Sequence, residues 1–507
     1  MKTKFLFSLL SALIFIVLGV ASIGLAASIG SPVMMLNDPE DAILSDPEAD
    51  LSTVVDEEVT LHIVQPAHGL RINQNETLEL SAKVLIDNET LDDADVQWFS
   101  DLDGYLGRGG DLPVDGLSTG VHVIEAKAGG LTASIAVGVF AKSWTVIVYM
   151  CADNNLESYG IADVNEMEQI GSDANVNILV LLDRITGYDT SNGNWTDTRA
   201  FYVTADTSTT VLNSQLLGSW GERAMDDPET LHQWVTYSIQ NYPAAHYAVI
   251  LWNHGSGWPK GVRQVTKGVG YDDTSGSGKH MDIWGVRQAL RASLTDTGLS
   301  KIDVLAYDAC LMAMAEVGYE TRNEASYFVA SEETEPGDGY EYQRWLANLK
   351  ANPAATGLQV SQYLVSAYYG TSYATLSAAD MGQTANLVSA MNSLSSALIS
   401  ALPTYKSKIS SARSKTKKFY EPTYLDLYDF CTNLKSQSVP TAVKTAATNV
   451  QTAITSYIKY KGGKATKSYG VSIWFPSAYD ATLFASYANN TQWGLDVNWF
   501  DFLDTYY

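Results

Sequence analysis

Cysteine and positive charge are both scarce in this chain of 507 residues. Three cysteines are too few for a disulfide framework, and their odd number leaves at least one thiol unpaired. The 32 Lys and Arg residues are outnumbered by 57 Asp and Glu residues, and the net charge of −25 argues against binding to nucleic acid. Internal repeats at solenoid periods are also lacking. The length and the ordinary apolar content predict a globular protein of several domains.

The amino terminus has the pattern of an export signal. Lys2 and Lys4 precede an uncharged apolar stretch that ends near residue 25, and Gly24-Leu25-Ala26 offers small residues for cleavage. The sequence predicts a signal peptide over 1–26, and its apolar stretch is also long enough for an uncleaved membrane anchor. No second spanning segment is expected. In either case we expect the folded part to be secreted or on the cell surface, with membrane contact only through such an anchor.

Two regions of different character follow the signal. Residues 27–58 form an acidic linker or pro-segment with little predicted structure, since the stretch 28–60 holds nine acidic and no basic residues. Residues 59–140 contain short alternating apolar stretches between turns rich in Gly, Asp and Asn, which predicts a small antiparallel β-sandwich. Segments 98–104 and 117–122 resemble immunoglobulin-like repeats of extracellular microbial proteins. We therefore expect this region to be a spacer or adhesion element.

From residue 144 to 507 the pattern is that of an α/β domain with a helix-rich carboxyl-terminal part. Short continuous apolar runs alternate with helical patterns, which predicts a mostly parallel sheet covered by helices on both faces. The predicted strands are 144–150, 176–182, 247–252, 302–307, 327–330 and 469–475. The predicted helices lie near 155–170, 228–241, 283–296 and 311–323.

Two of these predicted strands end beside residues suited to nucleophilic catalysis. His254 follows the strand at 247–252, and Cys310 follows the strand at 302–307. Open parallel sheets place their sites at the carboxyl ends of strands, and a thiol needs a nearby imidazole to be an efficient nucleophile at neutral pH. We also expect Cys310 at the amino terminus of a helix, where the dipole favours the thiolate. The pair predicts hydrolysis of an acyl bond.

Residues next to this pair suggest how it would act. The backbone N–H groups of Gly255 and Cys310 would form a two-donor oxyanion hole. Asp308 is either a helix cap or a buried anion on the floor of a pocket for Lys or Arg. The other two cysteines, Cys151 and Cys431, lie in apolar patterns and are predicted to be small buried side chains.

Four strings in this part of the chain together resemble the clostripain family of cysteine peptidases. They are WTVIVYMCADNNLE at 144–157, LWNHGSGW at 251–258, YDACLM at 307–312 and ASEETEPGDG at 330–339. Their order and spacing, more than any single string, carry the resemblance. It implies a caspase-like sandwich of helices around a largely parallel sheet. It also implies a Cys–His dyad that cleaves after Arg or Lys.

The resemblance assigns roles by position. It makes Cys310 the nucleophile, His254 the general base and acid, and Asp308 the main carboxylate of the specificity pocket. Asp338 is expected as a second pocket acid, with the acidic pair at 332–333 as alternatives. A third residue that orients His254 is not evident from the sequence, which is compatible with a dyad.

The resemblance also implies activation by internal cleavage between the His and Cys segments. Lys260, Arg263 and Lys267 crowd a loop there and are the expected self-cleavage sites. A dyad requires no cofactor, and no metal ligands are assigned. Some members of the family depend on calcium. The turn at 271–276 and the acids at 332–338 supply oxygen ligands, but neither has the spacing of a calcium loop, so a calcium requirement is left open.

Three functions are compatible with these features. The first is an exported cysteine endopeptidase whose protein or peptide substrates carry Arg or Lys before the scissile bond. The second is a surface adhesion protein with an inactive peptidase-like domain, and the third is a caspase-like peptidase of other specificity. An inactive domain has no need to retain both dyad residues with Asp308, which would also repel an acidic substrate residue. The first function is therefore preferred.

Overall fold

The computed structural model describes residues 59–86, 89–91, 95–258, 268–276, 278–368 and 374–507, which belong to one compact unit. The predicted signal peptide and acidic linker lie outside these ranges, as do the expected self-cleavage residues Lys260, Arg263 and Lys267.

The all-β region predicted for 59–140 consists of two small sheets. Its strands are β1 (Val59–Gln65), β2 (Leu70–Asn73), β3 (Leu78–Ile86), β4 (Glu89–Leu91), β5 (Gln97–Ser100), β6 (Gly104–Arg108), β7 (Asp111–Val114), β8 (Gly120–Ala128) and β9 (Leu131–Phe140). In one sheet β3 pairs with β1, β4 and β7, and the other has the order β2-β9-β8-β5-β6. All pairs are antiparallel except β2 with β9, which is parallel. Trp98, Ile124 and Val137 are buried in the core that both sheets share. The immunoglobulin-like character of this region stays a prediction.

The larger part of the unit is a mixed α/β structure. Its strands are β10 (Trp144–Ala152), β11 (Val176–Arg184), β12 (Thr198–Tyr202), β13 (Gln215–Gly221), β14 (His246–Trp252), β15 (Ile302–Asp308), β16 (Ala325–Ala330), β17 (Thr375–Asp380), β18 (Tyr424–Asp426), β19 (Ile458–Gly463) and β20 (Ser472–Trp474). Its helices are α1 (Glu157–Glu168), α2 (Pro228–Asn241), α3 (Ile283–Thr297), α4 (Ala315–Glu320), α5 (Tyr342–Ala351), α6 (Gly357–Ala367), α7 (Thr384–Lys415), α8 (Leu427–Lys435), α9 (Thr441–Tyr457), α10 (Ala481–Asn490), α11 (Gln492–Asp496) and α12 (Trp499–Tyr506).

A nine-stranded sheet organises this part, in the order β13-β12-β11-β10-β14-β15-β16-β17-β19. The five central strands, β11, β10, β14, β15 and β16, are parallel. Two antiparallel strands flank them on each side. The predicted parallel strands are therefore confirmed at the centre, and the antiparallel flanks were not predicted. The flanking strands carry polar or small residues in place of continuous apolar runs, so their sequences lack the signal of a buried parallel strand.

Helices cover both faces of the sheet. All nine residues of β10 are buried, and alternate ones enter two separate cores. Ile147 and Tyr149 pack in the core with α2, α3, α7 and α9, whereas Val146 and Val148 pack in the core with α1, α5 and α6. Both sides of each central strand are thus shielded from water. The carboxyl ends of these strands remain together at one edge of the sheet, where a site can form.

Helix α7 and the short turn before it are long and apolar enough to cross a membrane by length and composition. Within the fold, however, the buried residues Leu387, Met391, Leu394 and Leu398 of this helix belong to a large hydrophobic core. The helix packs against α9 and α12. We therefore assign it to the core of the folded unit.

Two predicted elements differ from the structure. Of the predicted strand at 469–475 only β20 is extended, and it pairs antiparallel with β18 in a separate two-stranded sheet. The helix predicted over 311–323 is reduced to α4, which begins at Ala315. Leu311 has φ of 65°, a left-handed conformation that is incompatible with the start of a right-handed helix at that point.

Candidate active site

His254 and Cys310 follow the carboxyl ends of β14 and β15, which are neighbours in the sheet. Trp252 of β14 pairs in parallel register with Asp308 of β15, and each candidate residue lies two positions beyond its strand's member of that pair. Gly255 then packs directly on the Cys310 backbone. A Cβ atom at position 255 would lie 2.3 Å from the Cys310 carbonyl oxygen, so only glycine permits this close approach.

Cys310 is partly accessible and forms no disulfide. Its Sγ accepts a hydrogen bond from the backbone N–H of Glu335 at 3.2 Å. Burial raises the pKa of the thiol, and the N–H groups of Glu335 and Gly255 oppose that rise. The thiol is therefore protonated at neutral pH and needs a base before it can attack. The prediction that a helix dipole favours the thiolate of Cys310 is wrong, because α4 begins only at Ala315.

The remaining cysteines are buried, as predicted. Cys151 lies in β10 and Cys431 in α8, and neither forms a disulfide. Burial raises the pKa of both thiols. Cys310 is thus the one cysteine of the three that a reagent or substrate can reach.

His254 is held by Asn155, a residue that follows β10. Its Nε2 lies 2.9 Å from Oδ1 of Asn155. Since an amide oxygen only accepts, Nε2 carries the hydrogen, and Nδ1 of the neutral ring is left to take a proton. Burial lowers the pKa of the imidazole, and Asp273 partly offsets this, so the ring is neutral at neutral pH. Tyr271 makes an edge-to-face contact with it, 6.0 Å between ring centroids.

The position of Asn155 in the sequence also marks it as a candidate site residue. The rule that sites gather at strand carboxyl ends applies to β10 as much as to β14, and these two strands are neighbours in the sheet. Asn155 lies three residues beyond the end of β10. Its amide places it among the candidates that could orient an imidazole.

Three buried carboxyl groups form a connected set that begins beside Cys310 with Glu335, continues through Asp308 and reaches Asp163, and we call these three residues the pocket acids. Oδ2 of Asp308 accepts hydrogen bonds from the Tyr342 hydroxyl at 2.9 Å and from the Tyr340 N–H at 3.2 Å. Burial raises the pKa of Asp308 to about 6. Burial and the neighbouring Asp308 raise the pKa of Glu335 well above its ordinary range. Asp308 therefore does not cap a helix; it belongs to a buried acidic group.

None of the pocket acids forms an ion pair with a Lys, Arg or His in the described ranges. Asp163 accepts a hydrogen bond from the Trp252 indole at 2.6 Å. Apart from Asp308, no described donor reaches either carboxyl oxygen of Glu335. Buried carboxylates without a cationic partner are costly, so this group is suited to receive a positively charged side chain.

The structure places the other predicted pocket acids differently. Asp338 is exposed on a turn. Its charge makes only a minor contribution to the raised pKa of Asp163, after burial and Asp308. Glu332 and Glu333 accept hydrogen bonds from backbone N–H groups at 470 and 420. The carboxyl that meets Asp308 is that of Glu335, a residue that was not expected in the pocket.

Three carboxylates gather at a place that the sequence did not indicate. Asp153, Asp183 and Glu222 each offer a carboxylate oxygen, and these atoms lie within 4.8 Å of one another. We call them the three-carboxylate cluster. Asp272 of the predicted turn uses its two oxygens for the backbone N–H groups at 225 and 275. Neither predicted segment supplies such a convergent set of three side chains among the described residues, and a calcium requirement stays an expectation.

Comparison with known proteins settles the family. Residues 148–506 match the model of the clostripain family. The chain belongs to this family. It is 25% identical over 429 residues to clostripain from Hathewaya histolytica, across 71% of this chain and 80% of that protein. The clostripain-family resemblance noted in the sequence is thereby confirmed, and the protein is a cysteine peptidase.

Two solved structures share the fold of this clostripain-family peptidase. One is a secreted C11 cysteine protease from Bacteroides thetaiotaomicron in complex with an irreversible peptide inhibitor, with 20% identity, a TM-score of 0.53, and coverage of 69% of this chain and 97% of that one. The other is an inactive zymogen C11 protease from Parabacteroides distasonis, with 19% identity, a TM-score of 0.54, and coverage of 71% and 99%. The all-β region at 59–140 lies outside the residues that match the family.

Proposed function

We propose that this chain is an exported cysteine endopeptidase that cleaves after Arg or Lys through a dyad of Cys310 and His254. The observation that carries the proposal is the group of pocket acids beside the nucleophile, which are buried without a basic partner in the described part of the chain. An Arg or Lys side chain of the substrate would supply the missing positive charge. The amino-terminal signal pattern supports export, as does the description of a structural relative as secreted.

In the proposed mechanism, Nδ1 of His254 takes the proton of the Cys310 thiol while the sulfur attacks the substrate carbonyl carbon. The N–H groups of Gly255 and Cys310 both lower the pKa of the thiol, which supports their proposed role as donors to the oxyanion formed next to the sulfur. The imidazolium then donates its proton to the leaving amine as the C–N bond breaks. Water activated by His254 hydrolyses the thioester and restores the thiol.

Self-activation forms part of the proposal. Lys260, Arg263 and Lys267 each offer the basic residue that the pocket acids would select. Flanking residues lie close to His254, since Oγ of Ser256 accepts a hydrogen bond from the Gly268 N–H at 2.8 Å. A relative of the same fold is described as an inactive zymogen, which supports activation by cleavage.

The proposal is tested by offering the purified chain amide substrates that end in Arg, Lys, Asn or Asp. We expect cleavage of the Arg and Lys substrates alone, and its loss after alkylation of Cys310, the accessible cysteine. Mass analysis should locate cuts after Lys260, Arg263 or Lys267. Cleavage of the Asn or Asp substrate instead would support the alternative specificity. A folded protein inactive on all four would support the adhesion hypothesis.

Replacing Asn155 by alanine should lower kcat with little change in KM. The side chain is exposed and accepts a hydrogen bond from Nε2 of His254, so its loss leaves the imidazolium formed during catalysis without that partner. A hydrogen bond to a charged group contributes about 1.5–3 kcal/mol, which corresponds to about a 10- to 160-fold fall. The measurement is steady-state kinetics on an Arg substrate across pH.

The Asn155→Asp variant is the matched control for that substitution. It keeps an oxygen acceptor, so most of the activity should return. Its negative charge would also raise the pKa of His254 and move the acidic limb of the kcat profile to higher pH. If Asn155→Ala kept full activity, or Asn155→Asp left the profile in place, Asn155 would have no part in positioning the imidazole.

A further inference from the structure

A segment of the carboxyl-terminal part of the chain contacts the loop that carries His254. This segment, residues 417–424, leads from α7 to β18 and ends at the buried Tyr424, the first residue of β18. The Tyr424 hydroxyl donates a hydrogen bond to the carbonyl oxygen of Ser256 at 2.7 Å. Ser256 lies two residues beyond His254 and directly after Gly255, a proposed oxyanion donor. We call residues 417–424 the bridging segment.

The bridging segment also contacts the chain near Cys310. The N–H of Tyr420 donates to the carboxylate of Glu333 at 2.8 Å, and Nζ of Lys417 lies 3.8 Å from the same carboxylate. The carbonyl oxygen of Glu333 accepts a hydrogen bond from the N–H of Leu311 at 3.1 Å. Leu311 directly follows Cys310, so one segment is connected to both halves of the dyad.

The loop at 254–257 depends on such contacts because two of its four residues are glycines. Gly255 and Gly257 flank Ser256, and glycine leaves the backbone free to adopt many conformations. Gly257 has φ of 77°, and a Cβ atom there would lie 2.7 Å from the Tyr424 hydroxyl oxygen. The loop is therefore packed directly on Tyr424, which restricts a backbone that could otherwise rotate.

Ser256 has two other partners, and they hold different atoms. Its N–H donates to the carbonyl oxygen of Gly268 at 3.2 Å, and its Oγ lies 2.9 Å from the Tyr271 hydroxyl. The peptide group before Ser256 and its side chain are thus bound by residues 268–271, whereas the peptide group after it is bound by Tyr424. Both peptide groups next to Ser256 are fixed in this way, and the N–H of Gly255 belongs to the peptide group that precedes them.

We propose that Tyr424 is a positioning residue for the peptidase reaction, and that its bond to Ser256 keeps the N–H of Gly255 directed at the oxyanion. This inference rests on the dyad and the oxyanion hole of the proposed function. The Gly255 N–H lowers the pKa of the Cys310 thiol, as a donor close to the reacting atoms would. Burial raises the pKa of Tyr424 well above its ordinary range, so its hydroxyl keeps its hydrogen at neutral pH.

The test is the Tyr424→Phe substitution in the full chain, which removes one oxygen atom and keeps the ring in place. On an Arg amide substrate we expect kcat to fall about 10- to 100-fold, between the effect of a neutral hydrogen bond and that of a complete oxyanion donor. KM should change little, because the pocket acids are untouched. The acidic limb of the kcat profile should stay at the same pH, because His254 keeps its bond to Asn155.

The rate at which iodoacetamide alkylates Cys310 separates the oxyanion donor from the dyad. Alkylation needs the thiolate but forms no tetrahedral oxyanion, so Tyr424→Phe should react at the rate of the parent chain. An Arg-terminated peptide aldehyde, to which the thiol adds to form a tetrahedral adduct, should bind the variant more weakly by about the factor lost from kcat. Gly257→Ala, whose methyl group would displace the Tyr424 hydroxyl, should show the same pattern from the loop side.

Tyr247→Phe is the matched control. It removes a buried hydroxyl that accepts a hydrogen bond from the N–H of Ala244 at 3.1 Å, near the start of β14 and away from the dyad. It should keep nearly the full kcat. The inference is overturned if Tyr424→Phe has the kcat of the parent chain, or if its alkylation slows as much as its kcat. A parent chain that is alkylated at Cys310 but cleaves no Arg or Lys substrate would instead overturn the proposed function, and this inference with it.

Discussion

Replacement of Cys310 by alanine is expected to lower kcat/KM on an Arg or Lys amide substrate by at least about 10⁴-fold. The substitution removes the sulfur that would form the thioester, and no other accessible thiol is present, because Cys151 and Cys431 are buried. The oxyanion donors and the pocket acids remain and can still bind the substrate. They cannot form a covalent intermediate with it. Steady-state kinetics on the purified variant provide the measurement. The variant should also fail to cut itself at Lys260, Arg263 or Lys267.

The control for this prediction is Cys431→Ala, which removes a buried thiol of α8 far along the chain from the dyad. It should keep nearly full activity while it is folded, as judged by circular dichroism. Comparable activity of Cys310→Ala and Cys431→Ala would exclude Cys310 as the nucleophile. A large loss in both would point to damage of the fold.

Replacement of Asp308 by asparagine is expected to reduce kcat/KM for Arg and Lys substrates by about 30- to 5,000-fold. Removal of one partner from a buried charged pair costs about 2–5 kcal/mol, and each 1.36 kcal/mol is a factor of ten. Asparagine keeps the shape of the side chain and an acceptor for Tyr342, so the fold and the dyad should be preserved. An uncharged substrate of the same length should lose far less. Kinetics with both substrates measure the difference.

The pH dependence of activity on basic substrates provides a second test of the role of Asp308. Burial raises the pKa of Asp308 to about 6, so its carboxyl is neutral below that pH and anionic above it. Activity on basic substrates should therefore fall as the pH drops through about 6. Burial lowers the pKa of His254, so protonation of the base also reduces activity at acidic pH. The step that belongs to Asp308 should disappear in Asp308→Asn, while the step that belongs to His254 remains.

Asp338→Asn is the matched control for the pocket. Asp338 was the second acid expected from the sequence, but its side chain is exposed, so we expect only a small change in kcat/KM. A loss as large as that of Asp308→Asn would place Asp338, and not Glu335, beside the bound substrate. Equal cleavage of basic substrates by Asp308→Asn and the parent protein would remove Asp308 from the proposed pocket.

The centre of the fold was predictable because its strands are buried on both faces. Continuous apolar runs identified β10, β11, β14, β15 and β16, and the ends of two of these runs indicated His254 and Cys310. The antiparallel flanks were not predictable in the same way. β13 and β19 are partly exposed, and β17 is buried but built from small and polar residues, so none carries a continuous apolar run.

The residues that support the candidate site were harder to find, for a physical reason. Asp308 is two positions from Cys310, so chain distance alone made it a candidate. Asn155 reaches His254 from a segment 99 residues away, and Glu335 reaches Cys310 from one 25 residues away. Their roles depend on which strand ends and loops the sheet order brings together. Local sequence patterns do not reveal the order of the strands in the sheet.

The parallel register of β14 and β15 has a consequence for how this enzyme tolerates change. His254 lies two residues beyond Trp252, and Cys310 lies two residues beyond Asp308, which pairs with Trp252. The distance between the two side chains is therefore set by the pairing of the strands and not by the length of chain between them. A change of length in the turn between α3 and β15, at residues 298–301, can therefore leave the dyad intact. One residue added between Trp252 and His254 would shift the imidazole relative to Cys310, because the register of the two strands fixes the start of each connection. The two strands thus set the positions of the reacting side chains, and the length of the turn before β15 does not.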